Sequence, residues 1–391
     1  MLNRVSADRD FNFDAAVIGA GFSGMLTAVH LVRMSGGTVS VALIEKKQRF
    51  ARGVAYATED LDHLLNVPAG KMGAYAQDPE HFLRWCHEQP DSCRAAGIQN
   101  VLASSFVPRK LYGDYLEELL ENTRRRWPSL RLLQEEAADL RLRPNGQFIV
   151  EFVGGRTLNA AKVVLALGNF PPGDPELRDQ RFHNWRAVID ALRPSTQKIW
   201  QRWDWVERRK FLRHLRAYWE SHRHRASPEA LAIKKNLETR GRLACYRGRV
   251  LSIIENAAGL EVEFVEFRRG EPKRLQVSYV VNCTGPECNY HKLKDPLALQ
   301  LFLCGLIAPD PLFLGIDVGV RGIIYNVHGE RVPNLYTLGS PQKGRLLETT
   351  AVPELRVQSE DLAKRLWREI RRPELAGVEA GFGNPALAYE I

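Results

Sequence analysis

The 391-residue sequence predicts an α/β fold built on a parallel sheet with helices on its faces. Three observations predict this fold. Residues 19–24 read Gly-Ala-Gly-Phe-Ser-Gly, they lie between the apolar run 15–18 and a helix-like stretch, and the next apolar run ends on the acidic residue Glu45. A Gly-x-Gly-x-x-Gly motif in this context is typical of a dinucleotide site at the first strand–helix turn.

Each glycine of this motif has a separate predicted role. Gly19 permits a tight turn, Gly21 lets the backbone approach a pyrophosphate, and Gly24 lets the helix pack closely on the strand. The N–H groups of a helix that starts near Phe22 would face the diphosphate. Glu45 would accept hydrogen bonds from ribose hydroxyls. A glycine-rich loop in an ordinary α/β protein explains the glycines but not the carboxylate.

Periodicity and turn residues place the remaining elements. A second strand is expected at 39–44, a long loop from Gly53 to Gly73, and short strands over 130–168 with a turn at 144–146. Helices are predicted at 79–88, 109–126 and 351–371, and a last strand and turn at 333–340.

A second block of strands suggests an internal duplication. Runs at 249–254, 260–267 and 276–281 alternate like strands, and Val-Val-Asn-Cys-Thr-Gly at 280–285 matches Val-Val-Leu-Ala-Leu-Gly at 163–168. The region before this second block, 184–242, contains no Gly-x-Gly-x-x-Gly motif. The predicted duplication is therefore lopsided.

Composition indicates a globular protein: 45% of residues are hydrophobic and 26% are charged. The apolar stretch 15–32 contains the glycine motif and a histidine, and Asp8, Asp10 and Asp14 stand where a signal peptide would be basic. We therefore expect neither a signal peptide nor a membrane span, and a cytoplasmic location.

The six cysteines follow neither a zinc-binding spacing nor a disulfide framework. Cys283 is expected at a buried strand end, with a packing role rather than a redox one. His222 and His224 would face apart on a helix, so we predict no metal site.

The net charge of +9 has a local source. Residues 201–250 hold 14 lysines and arginines against 5 acids, and five of the eight tryptophans lie at 185, 200, 203, 205 and 219. This composition predicts a packed, basic helical insertion. Its Arg213, Arg216, Arg223 and Arg225 would either hold an anion or form structural pairs on a solvated face. Nucleic acid is disfavoured because the aromatic residues recur at helical spacing.

Several longer stretches resemble one known family, the FAD/NAD(P)-binding proteins of the flavin monooxygenase-like, two-dinucleotide-domain fold. They are Gly-Val-Ala-Tyr at 53–56, His-Leu-Leu-Asn-Val-Pro at 63–68, His-Phe-Leu-Arg-Trp at 81–85, residues 107–116, Ala-Leu-Gly-Asn at 166–169, Trp185 to Pro194, parts of 211–225, and Gly344 with 348–356. The resemblance runs along most of the chain.

This resemblance implies FAD at the glycine motif and an FAD-dependent, monooxygenase-like oxidoreductase acting on a small substrate that the basic segment suggests is anionic. A catalytically inactive FAD-binding accessory protein is the alternative. It also implies a loop at 66–72 near the flavin ring and Ala138 and Asp139 near the adenine. The cofactor-binding residues implied together are Gly19, Ala20, Gly21, Phe22, Ser23, Gly24, Glu45, Lys46, Tyr56, Leu65, Asn66, Met72, Arg109, Ala138, Asp139, Ala166, Gly168, Gly339, Ser340 and Thr349. No catalytic residue is assigned.

The sequence departs from this family in two places. Only residues 170–184 fill the gap where members carry a second glycine motif for NAD(P)H, so that site should not form. Electrons would then come from a separate flavin reductase, free reduced flavin, the substrate, or NAD(P)H bound in another way. Ser340 stands where relatives often have Asp. The expected domains are an FAD-binding first part at 1–181, an insertion with a remnant second nucleotide domain at 182–285, and an FAD-binding C-terminal part at 286–391.

Overall fold

The computed structural model describes residues 12–170, 195–223, 228–266, 270–283 and 285–372. The chain divides into two compact units. The first comprises residues 1–169, 194–202 and 288–391, and the second comprises 170–193 and 203–287. The functional domain limits expected at 181 and 285 stay a prediction.

The first unit begins with the strand–helix–strand element that the glycine motif predicts. Strand β1 spans Asn12–Ile18, helix α1 spans Phe22–Met34, and strand β2 spans Val41–Glu45 and pairs in parallel with β1. The two strands are buried except at their ends, as expected for a central parallel sheet covered on both faces.

A helical layer and a meander follow. Helices α2, α3 and α4 span His81–Glu88, Pro90–Ala95 and Arg109–Arg126. Strands β3, β4, β5 and β6 span Leu130–Gln134, Ala137–Leu142, Phe148–Phe152 and Thr157–Leu165. The turn predicted at 144–146 joins β4 to β5, and the predicted helix 109–126 is confirmed.

Helix α5 spans Thr196–Arg202 and belongs to the first unit. The indole Nε1 of its buried Trp200 donates to the carbonyl oxygen of Gly344 at 2.9 Å. This tryptophan is packed, as predicted, whereas Trp185 lies outside the described residues.

The second unit contains helices α6, α7 and α8 at Trp205–His214, Arg216–Arg223 and Pro228–Thr239, followed by strands β7, β8 and β9 at Gly248–Asn256, Gly259–Glu266 and Pro272–Val277. The three strands form an antiparallel sheet of their own. Trp203 and Trp219 pack on Phe211, with ring centroids 5.5 and 6.5 Å apart. Trp205 is 44% exposed, so the prediction that it packs inside was wrong.

Two further predictions for this unit were wrong. Its third strand lies at 272–277 rather than 276–281, and residues 280–283 form no strand. Val281 is 80% exposed, and Cys283 is exposed rather than buried. The matching segment 163–165 is buried because β6 pairs with parallel neighbours on both sides. Among the described residues, no strand pairs with 280–283.

The C-terminal part returns to the first unit with helices α9, α10 and α11 at Pro296–Leu303, Lys343–Leu346 and Val352–Arg371, and strands β10 and β11 at Ile323–Tyr325 and Arg331–Thr337. The sheet order is β10-β11-β6-β1-β2-β3, parallel from β11 to β3, and β5 pairs with β6 and β4 with β5. None of the described helices is long and apolar enough to cross a membrane.

Candidate dinucleotide site

The turn between β1 and α1 is shaped by two glycines that the protein's own packing requires. Gly19 has a φ of +99°, and a Cβ atom on it would lie 2.2 Å from the carbonyl oxygen of Ala166. A Cβ atom on Gly24 would lie 1.9 Å from the carbonyl oxygen of Gly19. The close helix–strand packing predicted from the sequence is therefore present.

Gly21 differs from these two glycines. Its φ of −68° suits any residue, and the atom nearest to a Cβ placed on it is the Cα of Gly53, at 3.5 Å, an ordinary contact distance. Neither its backbone conformation nor its contacts with the described residues require glycine there. A glycine at this position is therefore explained if a pyrophosphate approaches the backbone, as the motif predicts.

The N-terminus of α1 is left available for an anion. No side chain caps this helix, and its first turn contains no acidic residue. The N–H groups of Phe22, Ser23 and Gly24 have no acceptor within the helix, because the first turn of an α-helix leaves such donors unpaired. These donors and the helix dipole together favour a negatively charged group.

Glu45 lies beside this turn, at the end of β2. Its Oε2 accepts from the backbone N–H of Ala20 at 3.0 Å, and its Oε1 accepts from the N–H of Lys47 at 3.1 Å. Each carboxylate oxygen retains capacity for a further hydrogen bond, as a hydroxyl ligand needs. Contact with a ribose stays a prediction.

The carboxyl ends of β6 and β11 meet at the same edge of the sheet. After β6, the N–H of Ala166 donates to Ile18 at 2.8 Å, and Gly168 is exposed. After β11, the carbonyl oxygen of Gly339 accepts from Thr349 Oγ1 at 3.2 Å, and Ser340 Oγ donates to Asn169 Oδ1 at 2.6 Å. Ligands of open α/β sheets bind outside such strand ends.

The long loop and Arg109 are tied together. The guanidinium of Arg109 donates to the carbonyl oxygens of Leu64 and Ala55, at 3.1 and 3.3 Å. Leu65 is buried and Asn66 is exposed. Arg109 therefore holds the loop through its backbone, whatever else it contacts.

Two aromatic residues extend this region. The hydroxyl of Tyr112 donates to the carbonyl oxygen of the buried Met72 at 2.8 Å. The Tyr56 ring lies edge-on to Tyr112, with centroids 4.7 Å apart, and burial raises the pKa of Tyr56 to about 12. Both tyrosines are therefore neutral hydroxyls at physiological pH.

Three predicted residues are engaged elsewhere. Lys46 Nζ contacts Glu136 at 3.2 Å and Asp295 at 3.1 Å. On β4, Asp139 accepts from the N–H of Leu140 at 2.8 Å, and Ala138 precedes it. The structure connects Lys46 to the start of β4 through Glu136, and an adenine contact for these residues stays a prediction.

The basic segment gives no anion cluster that the structure describes. Arg213 is exposed, and Arg216 Nε pairs with Glu220 at 2.8 Å on α7. His224 and Arg225 lie outside the described residues. The pair Arg216–Glu220 is of the structural kind, and an anion contact for the other arginines stays a prediction.

Two buried arginines near the loop were missed from the sequence. Arg52 is 1% exposed. Arg356, on the first turns of α11, is 8% exposed, and its Nη1 donates to the carbonyl oxygen of Gly73 at 3.1 Å. The Nε of Arg356 is buried without a partner among the described residues. Arg356 lies inside the stretch 348–356 that carried the family resemblance, which was the available signal.

These features fit a bound dinucleotide. The unpaired helix donors supply an anion site, the carboxylate at the end of β2 supplies hydroxyl acceptors, and Gly21 has no close contact that requires glycine. The fit rests on the chain's own geometry.

Comparison with known proteins agrees with this geometry. Residues 16–170 match the family described as FAD-NAD(P)-binding. No curated protein matches the sequence. The matched part contains the glycine motif and Glu45, where the sequence predicts a dinucleotide site.

Solved structures share the fold over nearly the whole chain. The ornithine hydroxylase of Pseudomonas aeruginosa in reduced form is 14% identical, with 92% of this chain and 100% of that one covered and a TM-score of 0.62. The ornithine N-hydroxylase of Kutzneria sp. 744, with reduced FAD, NADP+ and L-ornithine, is 15% identical, with 92% and 99% covered and a TM-score of 0.65. The L-lysine 6-monooxygenase of Pseudomonas syringae is 14% identical, with 91% and 99% covered and a TM-score of 0.60. The predicted flavin monooxygenase-like fold is thus confirmed.

Proposed function

We propose that the protein is an FAD-dependent, monooxygenase-like oxidoreductase that acts on a small substrate, with FAD bound at the first glycine motif. The observation that carries the proposal is the uncapped N-terminus of α1 beside Glu45, at a motif whose Gly21 is required neither by its backbone conformation nor by a close contact with the described residues. The similar monooxygenases act on ornithine and lysine, which supports a small-molecule substrate here.

The chain's residues would act mainly by binding and orienting. The N–H donors at the start of α1 would hold the diphosphate, and Glu45 would hold ribose hydroxyls. The loop containing Asn66 and Met72, held by Arg109, would border the ring. The N-terminus of α11 would favour negative charge on the reduced ring. FAD itself would supply the redox chemistry.

The electron donor is the second part of the proposal. The sequence holds no second Gly-x-Gly-x-x-Gly motif between residues 170 and 283, and the strands described in the second unit are all antiparallel. We therefore propose that NAD(P)H does not reduce the flavin from a conventional second site. A separate flavin reductase, free reduced flavin, the substrate, or NAD(P)H bound in another way would supply the electrons.

Reduction of the purified flavoprotein tests both parts. We expect a yellow protein whose flavin absorbance bleaches with dithionite under anaerobic conditions but slowly with NADH or NADPH. Rapid bleaching by NADPH would contradict the proposed loss of the conventional site.

The alternative is an FAD-binding accessory protein without catalysis, which the missing second motif favours. Reoxidation separates the two. In an enzyme that uses oxygen, the reduced flavin should be reoxidised, and the product of this reaction should change when candidate substrates are added. An accessory protein should retain FAD and respond to none of the candidate substrates. We also propose a cytoplasmic location, which cell fractionation would test.

A further inference from the structure

Arg52 is a buried charged residue beside the candidate site whose donors are all used within the protein. Its Nε and Nη2 donate to the two carboxylate oxygens of Glu117 at 2.6 and 2.8 Å, and Nη2 also contacts Asp114. Its Nη1 donates to the carbonyl oxygens of Lys110 at 3.3 Å and Tyr56 at 3.4 Å. Five acceptors therefore match the five N–H donors of a guanidinium.

Because all five N–H donors of Arg52 have acceptors within the protein, Arg52 differs from an arginine that binds phosphate. A buried arginine next to a dinucleotide motif is ordinarily a candidate for phosphate contact, because the guanidinium fork suits phosphate oxygens. Arg52 has no donor left for such a contact, and its side chain points to α4. Its charge is compensated by Glu117 and Asp114.

The backbone around Arg52 reaches the glycine motif. Ala51 and Gly53 both have positive φ values, +69° and +55°, so the chain bends sharply on each side of Arg52. The N–H of Ala51 donates to the carbonyl oxygen of Ala20 at 2.7 Å. A Cβ atom on Gly53 would lie 3.1 Å from the Cα of Gly21. Ala51 has no glycine-like freedom, so neighbouring contacts must hold this bend.

A glycine inside α4 makes room for the arginine. Gly113 lies in the interior of an 18-residue helix, where glycine is unfavourable. A Cβ atom there would lie 2.3 Å from Arg52 Nη1 and 2.7 Å from the carbonyl oxygen of Tyr56. Helix α4 thus carries four of the five acceptors for Arg52 and leaves the space that its guanidinium occupies.

We propose that Arg52 is a positioning residue that fastens the segment 51–56 to α4 and so preforms the wall of the FAD site opposite the glycine motif. The inference rests on the proposed function. It assigns to Arg52 no contact with the cofactor. FAD affinity then depends on the carboxylates of α4, which contact the guanidinium of Arg52.

The test uses Glu117→Gln and Arg52→Gln, with Glu121→Gln as the matched control, since Glu121 lies one turn further along α4 and pairs only with exposed arginines. We measure FAD dissociation constants by flavin fluorescence and hydrogen exchange of residues 51–56 in the FAD-free protein. Both test variants should bind FAD about tenfold more weakly and exchange faster in 51–56, while the control stays unchanged.

Three results would overturn the proposal. The first is wild-type FAD affinity in both test variants. The second is weakened affinity in Arg52→Gln alone, which would indicate a direct phosphate contact. The third is unchanged hydrogen exchange of segment 51–56. If Arg52→Gln does not fold, Glu117→Gln carries the test alone, because Glu117 is partly exposed. Failure of the wild-type protein to bind FAD would instead refute the proposed function, and the exchange measurement would still test the positioning of 51–56.

Discussion

The Cα atom of Gly53 lies 3.5 Å from the point that a β-carbon on Gly21 would occupy, whereas a β-carbon on Gly24 would lie 1.9 Å from the carbonyl oxygen of Gly19. Two glycines of one motif therefore serve different purposes. Gly24 is required by the fold, whereas no close contact with the described residues requires glycine at position 21, where we propose that FAD binds. A substitution at Gly24 should therefore affect stability, whereas a substitution at Gly21 should affect ligand binding.

Substitution at Gly24 should destabilise the protein without any ligand. In Gly24→Ala, the new methyl group overlaps a backbone oxygen, so α1 must move away from β1. We expect a loss of about 2–3 kcal/mol in the free energy of unfolding, as for other overpacked sites. Chemical denaturation of the FAD-free protein measures it, with Gly21→Ala as the control, expected to lose less than about 1 kcal/mol. Equal stability of the two variants would contradict this assignment.

A buried histidine should make stability depend on pH. His30, in α1, is 6% exposed, and its pKa is lowered to about 4, mainly by burial, which Glu360 opposes and Arg33 and Lys364 reinforce. This histidine therefore binds a proton near pH 6.5 in the unfolded chain but only near pH 4 in the folded protein. Stability should fall as the pH drops through this window, by about 2 kcal/mol between pH 7.5 and 5.

The variant His30→Leu should lose this part of the pH dependence. Denaturant midpoints at pH 7.5 and 5 measure it, and His328→Gln, which changes an exposed histidine, is the control. A wild-type pH dependence in His30→Leu would show that the loss of stability has another source.

A buried ion pair joins the sheet to helix α11. Substitution of its two partners should reduce the free energy of unfolding by unequal amounts. Glu369 accepts from Lys162 at 2.9 Å, Arg365 at 2.7 Å and Tyr336 at 2.5 Å, whereas Lys162 donates, among the described residues, to Asn334 and Glu369. Glu369→Gln leaves two cations without a counter-charge and should cost about 3 kcal/mol. Lys162→Met leaves the carboxylate with Arg365 and should cost less.

Urea denaturation of the two single variants and the double variant measures this asymmetry. The double variant should be more stable than Glu369→Gln alone, because the buried lysine is removed as well. A larger loss in Lys162→Met than in Glu369→Gln would contradict the assignment of Glu369 as the centre of the network.

The sequence predicted what local patterns determine. The glycine motif defined β1, α1 and β2, and the periodicity of 109–126 defined α4, because these signals lie within the elements themselves. Residues 280–283 were mistaken for part of a buried strand because a strand needs neighbours, and the sequence does not show whether neighbours exist. Arg52 and Arg356 were missed for the same reason: their acceptors lie on elements distant in sequence.

The most direct measurement of the central claim is FAD binding by the wild-type protein and by Gly21→Val. Binding is measured by flavin absorbance and by fluorescence titration. The control is Gly154→Val, since Gly154 lies in the β5–β6 turn with open space around it and away from the motif. We predict that wild type and Gly154→Val bind FAD, and that Gly21→Val folds but binds none, because its side chain adds bulk where the backbone must approach the pyrophosphate. A folded wild-type protein that binds no FAD, or a Gly21→Val variant with wild-type occupancy, would contradict the account.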